Sequence, residues 1–227
     1  MTAAENTTPA HSLEIERKYD VDDDTRVPDW SALPGVARVG EPEPRDLDAR
    51  YFDTADAALA QALTALRRRT GGPDAGWHIK RSTPEGKLET QWPLEAGIER
   101  VPAGRVDAGD AADIAPLPPA AVIAALTEIT AGPFAVVARI RNARTAYALY
   151  DTDGGVLAEF VDDRVTATDL RRRVETTWRE WELELGPAAP TAATARAVLF
   201  AAADTLVERA GGHVSASGSK LARALGG

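Results

Sequence analysis

The feature that most constrains this chain is an inversion: segments alternate with strand period, yet the face that is charged recurs in segment after segment. In Leu13 to Tyr19, Glu14, Glu16 and Lys18 share one side against Leu13 and Ile15. In Glu180 to Leu185, Glu180, Glu182 and Glu184 stand opposite Trp181, Leu183 and Leu185. Arg67 and Arg69 share a face. His78 and Lys80 oppose Trp77 and Ile79, and Lys87, Glu89 and Gln91 alternate with Leu88, Thr90 and Trp92. Acidic and basic strands are separate in sequence. If the apolar faces pack outward against helices, the charged faces have to meet inside a closed sheet. An isolated ionised group costs several kcal/mol in such a setting, so the interior survives only as a wet, compensated network or around bound ions. A polyanion accompanied by metal meets that demand.

Further strands are expected at residues 46–53, 135–150 and 155–168, which brings the count to about eight, a number that suits a closed barrel. The segments Asp151 to Gly155 and Gly71 to Gly76 read as turns between antiparallel neighbours. Helices are expected at 118–131, at 191–210 with Val198, Leu199, Ala202 and Leu206 before the Gly211-Gly212 stop, and at 219–225. Residues 39–45 and 186–193 read as loops. The expected fold class is therefore α+β: a closed eight-stranded antiparallel β-tunnel with helices packed on the outside. The tunnel domain is expected to occupy 13–227, preceded by a disordered segment at 1–12.

The chain has no cysteine, which excludes disulfides, thiolate metal sites and cysteine nucleophiles and leaves O and N ligands for any chemistry. A formal net charge of −9 argues against binding duplex nucleic acid. No signal peptide and no apolar run of membrane length is visible, so a soluble cytoplasmic protein without membrane contact is expected. There is no P-loop spacing, and three histidines support no Ser-His-Asp triad.

The run Glu14-Ile15-Glu16-Arg17-Lys18 resembles the ExExK signature that opens the CYTH family, also called triphosphate tunnel metalloenzymes. The likeness continues, in the order of bacterial CYTH domains, through DARYFDT (48–54), LRRRT (66–70), WHIK (77–80), VDDRV (161–165), WELEL (181–185) and SGSKL (217–221). It is closest in style to the actinobacterial type often followed by a helical CHAD domain, a part not found before Gly227. The resemblance implies a tunnel that binds a linear triphosphate with Mg²⁺ or Mn²⁺. On it, Glu14, Glu16, Glu182 and Glu184 match the metal-holding acids. Asp163 is the choice for a further metal acid, with Asp162 the alternative, and Glu89 is a secondary acid. Lys18, Arg67, Arg69, Lys80, Arg144 and Lys220 match the phosphate-gripping bases. Lys18 or a metal-linked glutamate such as Glu14 or Glu16 would help deprotonate the attacking water.

Asn142 and Gln91 depart from the pattern, standing where many members carry charge. Arg17, Arg68 and the Arg171-Arg172-Arg173 run have the opposite parity or lie in a loop, and read as surface charge. Trp77, Trp92 and Trp181 all fall on the outward parity, so no aromatic platform for a nucleoside is expected inside. The implied activity is hydrolysis of inorganic triphosphate, since retention of both acid pairs and Lys18 favours catalysis. The alternatives are a thiamine or nucleoside triphosphatase, an adenylate cyclase, or a non-catalytic polyphosphate-binding module. The partner expected is tripolyphosphate or another triphosphate-bearing small molecule, and a homodimer is the one protein partner considered.

Overall fold

One residue, Ile15, closes the sheet. The computed structural model describes residues 8–94 and 117–226. In it the N-terminal strand divides into β1 (Ala10–Glu14) and β2 (Glu16–Val21). After a short 3₁₀ turn (Trp30–Ala32), the chain forms β3 (Arg38–Val39), β4 (Glu43–Asp53), α1 (Ala58–Gln61), β5 (Thr64–Thr70), β6 (Gly76–Thr83) and β7 (Gly86–Pro93). Next come α2 (Ala120–Ala124), β8 (Ala135–Tyr150), β9 (Val156–Asp169) and β10 (Val174–Leu185). The chain ends with α3 (Ala193–Ala210), β11 (His213–Val214) and α4 (Lys220–Ala224).

All pairings are antiparallel, in the order β1-β7-β6-β5-β4-β8-β9-β10-β2-β11, with β3 on β8. Glu14 sits opposite Lys87 of β7 while Glu16 sits opposite Glu184 of β10, so the two edges of the curled sheet meet on one continuous strand. With β1 and β2 counted as one and the two-residue β3 and β11 set aside, the ring has the eight strands that the alternation predicts.

The rungs carry the inward parity around the ring. Lys18 pairs with Glu182, Glu180 with Asp163, Asp163 with Arg144, and Tyr51 with Arg67. The opposite faces make the cores. Under α3, Leu199, Phe200, Ala203 and Val207 cover Tyr19, Phe160, Trp181 and Leu183. Under α2, Val122 and Leu126 cover Phe52, Leu66, Trp77, Ile79 and Trp92. Each large apolar side chain so enclosed contributes about 1.5–3 kcal/mol, and this outer packing offsets the cost of a charged interior.

The short helix α4 differs from α2 and α3: Leu221, Ala224 and Leu225 pack with Ala49, Tyr51, Ile140 and Ala167, residues of the inward parity. It therefore lies against the interior, where its first residue, Lys220, can enter the ring. The helix expected over 118–131 is helical only at Ala120–Ala124, and turns carry the chain on to Gly132-Pro133. Residues 39–45 are partly strand, because Glu43 and Pro44 extend β4 along β8. β1 begins at Ala10, inside the stretch expected to be disordered, whose first seven residues lie outside those described. Among the described residues, no helix is long and apolar enough to cross a membrane.

Candidate active site

The inward faces enclose a cavity of about 640 Å³. The N-terminal strand contributes Glu14, Glu16 and Lys18, β5 contributes Arg67 and Arg69, and β6 contributes Lys80. Arg144 comes from β8, Glu182 and Glu184 from β10, and Lys220 from the start of α4. Of the site residues expected from sequence, Asp163 and the secondary acid Glu89 do not line it. The Asp163 carboxylate is fully enclosed behind the wall, where it accepts from Arg144 Nε and Nη2 at 2.8 and 2.7 Å and pairs with Lys220 at 2.8 Å. Asp163 is nevertheless the inward acid of the Asp162-Asp163 pair. Asp162 faces the outer side, where it accepts from Arg179 Nε and Nη2 and from Trp181 Nε1.

Acids and bases compensate one another across the cavity. Lys80 Nζ lies 2.6 and 2.7 Å from the Glu14 oxygens and 2.8 Å from Glu89. Lys87 reaches Glu16 at 2.5 Å. Lys18 bridges Glu16 at 3.2 Å and Glu182, and Arg144 reaches Glu182 at 3.0 Å. Ser219 caps α4 by accepting from Ala222 N, and this fixes Lys220 so that its ammonium meets Asp163, Glu180 and Glu182 at 2.8, 2.5 and 2.6 Å. Those three acids offer oxygens within 4.8 Å of one another, and Lys220 occupies the middle of them as a covalently attached cation.

Charge is not evenly balanced. Burial pushes the Glu182 carboxyl up, but Lys18, Lys220 and Arg144 outweigh it and hold the group well below its usual range. Glu16 is likewise held low by Lys18 and Lys87 against burial. Glu14 goes the other way: burial, then its hydrogen bond with Glu89, pushes it up to about 8. Burial also raises Glu184, with Lys80 opposing it from a distance, and among the described residues this carboxylate makes no ion pair or hydrogen bond. Glu14, Glu16 and Glu184 thus form an acid-rich side, on which Glu14 and Glu16 have lysine partners and Glu184, among the described residues, has no base in contact. On the basic side, the buried Nε atoms of Arg67 and Arg69 and the Oδ1 of Asn142 have no hydrogen-bond partner among the described residues. Burial, with Arg67 and Arg144 near, pushes the Arg69 guanidinium down to about 9. Such a cavity lacks an anion at one side and a cation at the other, and carboxylate oxygens are the donors that hard Mg²⁺ or Mn²⁺ prefers.

Several cavity residues were not assigned from sequence. Lys87 has the inward parity already noted but lies outside the resembling motif positions; Glu180, of the same parity, sits with Asp163 behind the wall, on Lys220. Arg45 and Glu159 pair at 3.0 Å, and Arg45 was hidden by the loop reading of 39–45. Tyr51 overturns the expectation of an aromatic-free interior: it lines the cavity beside Arg67, together with Leu47, Ala49 and Ile140. His78 is fully enclosed. Its Nδ1 contacts Glu89 and its Nε2 donates to the Asp74 carbonyl at 3.0 Å, so it faces a turn rather than the cavity.

Strand parity makes a sharp prediction here. Arg69→Ala is expected to weaken tripolyphosphate binding about tenfold or more, while Arg68→Ala, on the outer face, leaves it within about twofold. Titration followed by tryptophan fluorescence checks it, and equal losses would mean that the register is wrong.

The CYTH domain model matches residues 12–210. The chain belongs to the CYTH domain family. An uncharacterized protein of Mycobacterium tuberculosis, found in two strains, is 39% identical over 229 residues, and the alignment covers 96% of this chain and 41% of that protein. This CYTH chain thus spans about two fifths of the length of the curated relatives that it matches. A candidate adenylate cyclase from Bacillus halodurans superposes with a TM-score of 0.58 at 20% identity, covering 94% of this chain and 97% of the other. A candidate adenylyl cyclase from Hippeastrum, described as having a dominant triphosphatase activity, superposes at 0.53 with 19% identity over 92% and 94% of the two chains. At these identities the structural likeness establishes the CYTH tunnel fold.

Proposed function

We propose that the protein hydrolyses inorganic triphosphate with the help of a divalent cation, Mg²⁺ or Mn²⁺. The observation that carries this reading is the division of one cavity into an acid side with an unpaired carboxylate, Glu184, and a basic side with unpartnered guanidinium nitrogens on Arg67 and Arg69. A pure anion-binding module needs the bases alone.

In the proposed reaction Arg67, Arg69, Arg144, Lys80 and Lys220 hold the phosphate chain in line, since phosphoryl transfer depends chiefly on positioning and charge stabilisation. Glu14, Glu16, Glu182 and Glu184 would hold the cation, with Asp163 acting behind them by orienting Arg144 and Lys220. When bound, that cation supplies charge neutralisation at the phosphate oxygens and a more acidic water. Lys18, set between Glu16 and Glu182, is placed to handle the proton of the attacking water. Phosphate release from tripolyphosphate, ATP and thiamine triphosphate, with and without Mg²⁺ or Mn²⁺, tests the proposal. Metal-dependent release that is fastest from tripolyphosphate is expected, and no release from any of them would overturn it.

A second reading has its own support. Tyr51, with Leu47, Ala49 and Ile140, gives the cavity an apolar wall that inorganic triphosphate does not use. A kcat/KM higher for ATP, or formation of cyclic AMP, would favour a nucleotide-directed activity.

The raised Glu14 carboxyl gives a pH prediction. In the empty cavity Glu14 keeps its proton up to about pH 8, and a cation binding there must expel it. Mn²⁺ affinity is therefore expected to rise with pH, by up to about tenfold per unit, until about pH 8 and to level off above it. Calorimetry at several pH values checks this, and Glu14→Gln is expected to flatten the slope.

A further inference from the structure

The turn between β5 and β6 does not project away from the barrel mouth: it folds back, so that Pro73 and Asp74 line the same cavity as Arg69. Its path is fixed from several sides. Gly71 and Gly72 have φ of +77° and +75°, and a Cβ on Gly71 would stand 1.9 Å from the Asp46 carbonyl oxygen. The carbonyl of Asp74 then receives two hydrogen bonds from inward-parity side chains, His78 Nε2 at 3.0 Å and Gln91 Nε2 at 3.1 Å. This accounts for Gln91, an amide where a charge is common in the resembling family: a neutral donor is what the carbonyl needs. With its backbone anchored, the Asp74 carboxylate lies on Arg69.

The pairing is asymmetric. The Arg69 side chain is 7% exposed, whereas Asp74 is 46% exposed. Among the described residues, Asp74 is the only acid in ion-pair contact with Arg69. A buried guanidinium at the basic side of the cavity therefore has as its counter-ion a half-solvated carboxylate, held there by the turn backbone rather than by its own burial. A carboxylate on a phosphate-gripping arginine mimics a phosphate oxygen and excludes one by like-charge repulsion.

We propose that Asp74 is a built-in anion that ends the phosphate track at Arg69 and so determines how long a phosphate chain the cavity accepts. The proposal rests on the reading that the cavity holds a linear phosphate chain, and it deepens that reading by assigning chain-length selection to one residue. With Asp74 on Arg69 Nη2, a three-phosphate chain ends against the remaining edge of Arg69 and the other bases, and a fourth phosphate would have to displace the carboxylate. Without that charge, Arg69 Nη2 becomes available to the fourth phosphate.

The test is titration calorimetry with tripolyphosphate and with tetrapolyphosphate in the presence of a metal chelator, which prevents turnover, on wild-type protein, Asp74→Asn and Asp74→Glu. Wild type is expected to bind tripolyphosphate at least as tightly as tetrapolyphosphate. In Asp74→Asn the ratio is expected to move about tenfold toward tetrapolyphosphate, and Asp74→Glu, which keeps the carboxylate, is expected to retain the wild-type ratio. An unchanged ratio in Asp74→Asn overturns the proposal, as does parallel weakening of both anions, because that would make Asp74 a support for the turn only. Should Asp74→Asn fail to fold, Asp74→Ser removes the same charge and is held to the same ratio. Wild-type protein that binds neither anion would instead overturn the phosphate reading itself, and the proposal with it.

Discussion

Glu184→Gln is expected to lower metal-dependent phosphate release by two to three orders of magnitude, on the order of what removal of a preorganised charge costs an active site, while leaving the fold as stable or slightly more so. The stability half follows from sign. Burial raises the Glu184 carboxyl above its ordinary value, the more distant Lys80 does not offset this, and no cation among the described residues forms an ion pair with it, so its ionised form opposes folding at neutral pH, and a neutral isostere removes that opposition. Glu182→Gln should behave differently although it lies two residues away on the same face. Glu182 compensates Lys18, Arg144 and Lys220, and its loss leaves three enclosed cations short of an anion. That variant is expected to lose about 3–5 kcal/mol as well as activity. Urea unfolding and phosphate release on both proteins check the contrast. A Glu184→Gln protein with unchanged turnover would remove Glu184 from the cation site.

Lys220→Met is expected to have the second large effect, and it links α4 to the cavity. The ammonium of Lys220 is the cation among Asp163, Glu180 and Glu182, whose oxygens lie within 4.8 Å of one another. Removing it leaves three enclosed carboxylates that, among the described residues, are served by Arg144, Lys18, Arg223 at 4.0 Å and the Trp178 indole N–H. A loss of about 3–5 kcal/mol is expected in chelator. Part of that loss should return on adding Mg²⁺ or Mn²⁺, because an oxygen trio of this spacing then accepts a free cation. α4 should also loosen, since a one-turn helix held by Leu221, Ala224, Leu225 and the Arg223–Asp20 pair loses its one anchor inside the ring. Thermal unfolding with and without metal, with hydrogen exchange at 220–225, reads both effects. A variant as stable as wild type, and indifferent to metal, would contradict the account.

These expectations depend on how much of the site strand parity could reveal. Glu14, Glu16, Lys18, Glu182 and Glu184 were legible because they alternate with residues that become core under α3, such as Tyr19, Trp181 and Leu183. The same logic placed Arg67, Arg69 and Lys80 inside, opposite the core under α2. Parity with Glu159 and Val161 favoured Asp163 but could not exclude Asp162, because the strand register was not fixed by the sequence. The choice comes from register, which sets Asp163 between Arg144 and Glu180. Nor could it find Tyr51. The inward face of β4 carries Leu47, Ala49 and Tyr51, so there the equation of charge with the interior breaks down. Asp74 was out of reach for another reason: turns have no face, and only the folded positions of His78 and Gln91 show where its carbonyl goes.

The central claim is that the acids and bases which now neutralise one another exchange those partners for a cation and a phosphate chain. Lys80 leaves Glu14 and Lys18 leaves Glu182 more readily when both ligands arrive, because either one alone strands part of the buried charge and binds more weakly for it. The decisive measurement is calorimetric binding of a methylene-bridged triphosphate analogue, which is not hydrolysed, at increasing concentrations of Mg²⁺. The account predicts that analogue affinity rises with Mg²⁺ by about tenfold or more beyond the effect of the metal on the free analogue, and that Mg²⁺ affinity rises equally with analogue. Affinities for the two ligands that are independent of each other would contradict it.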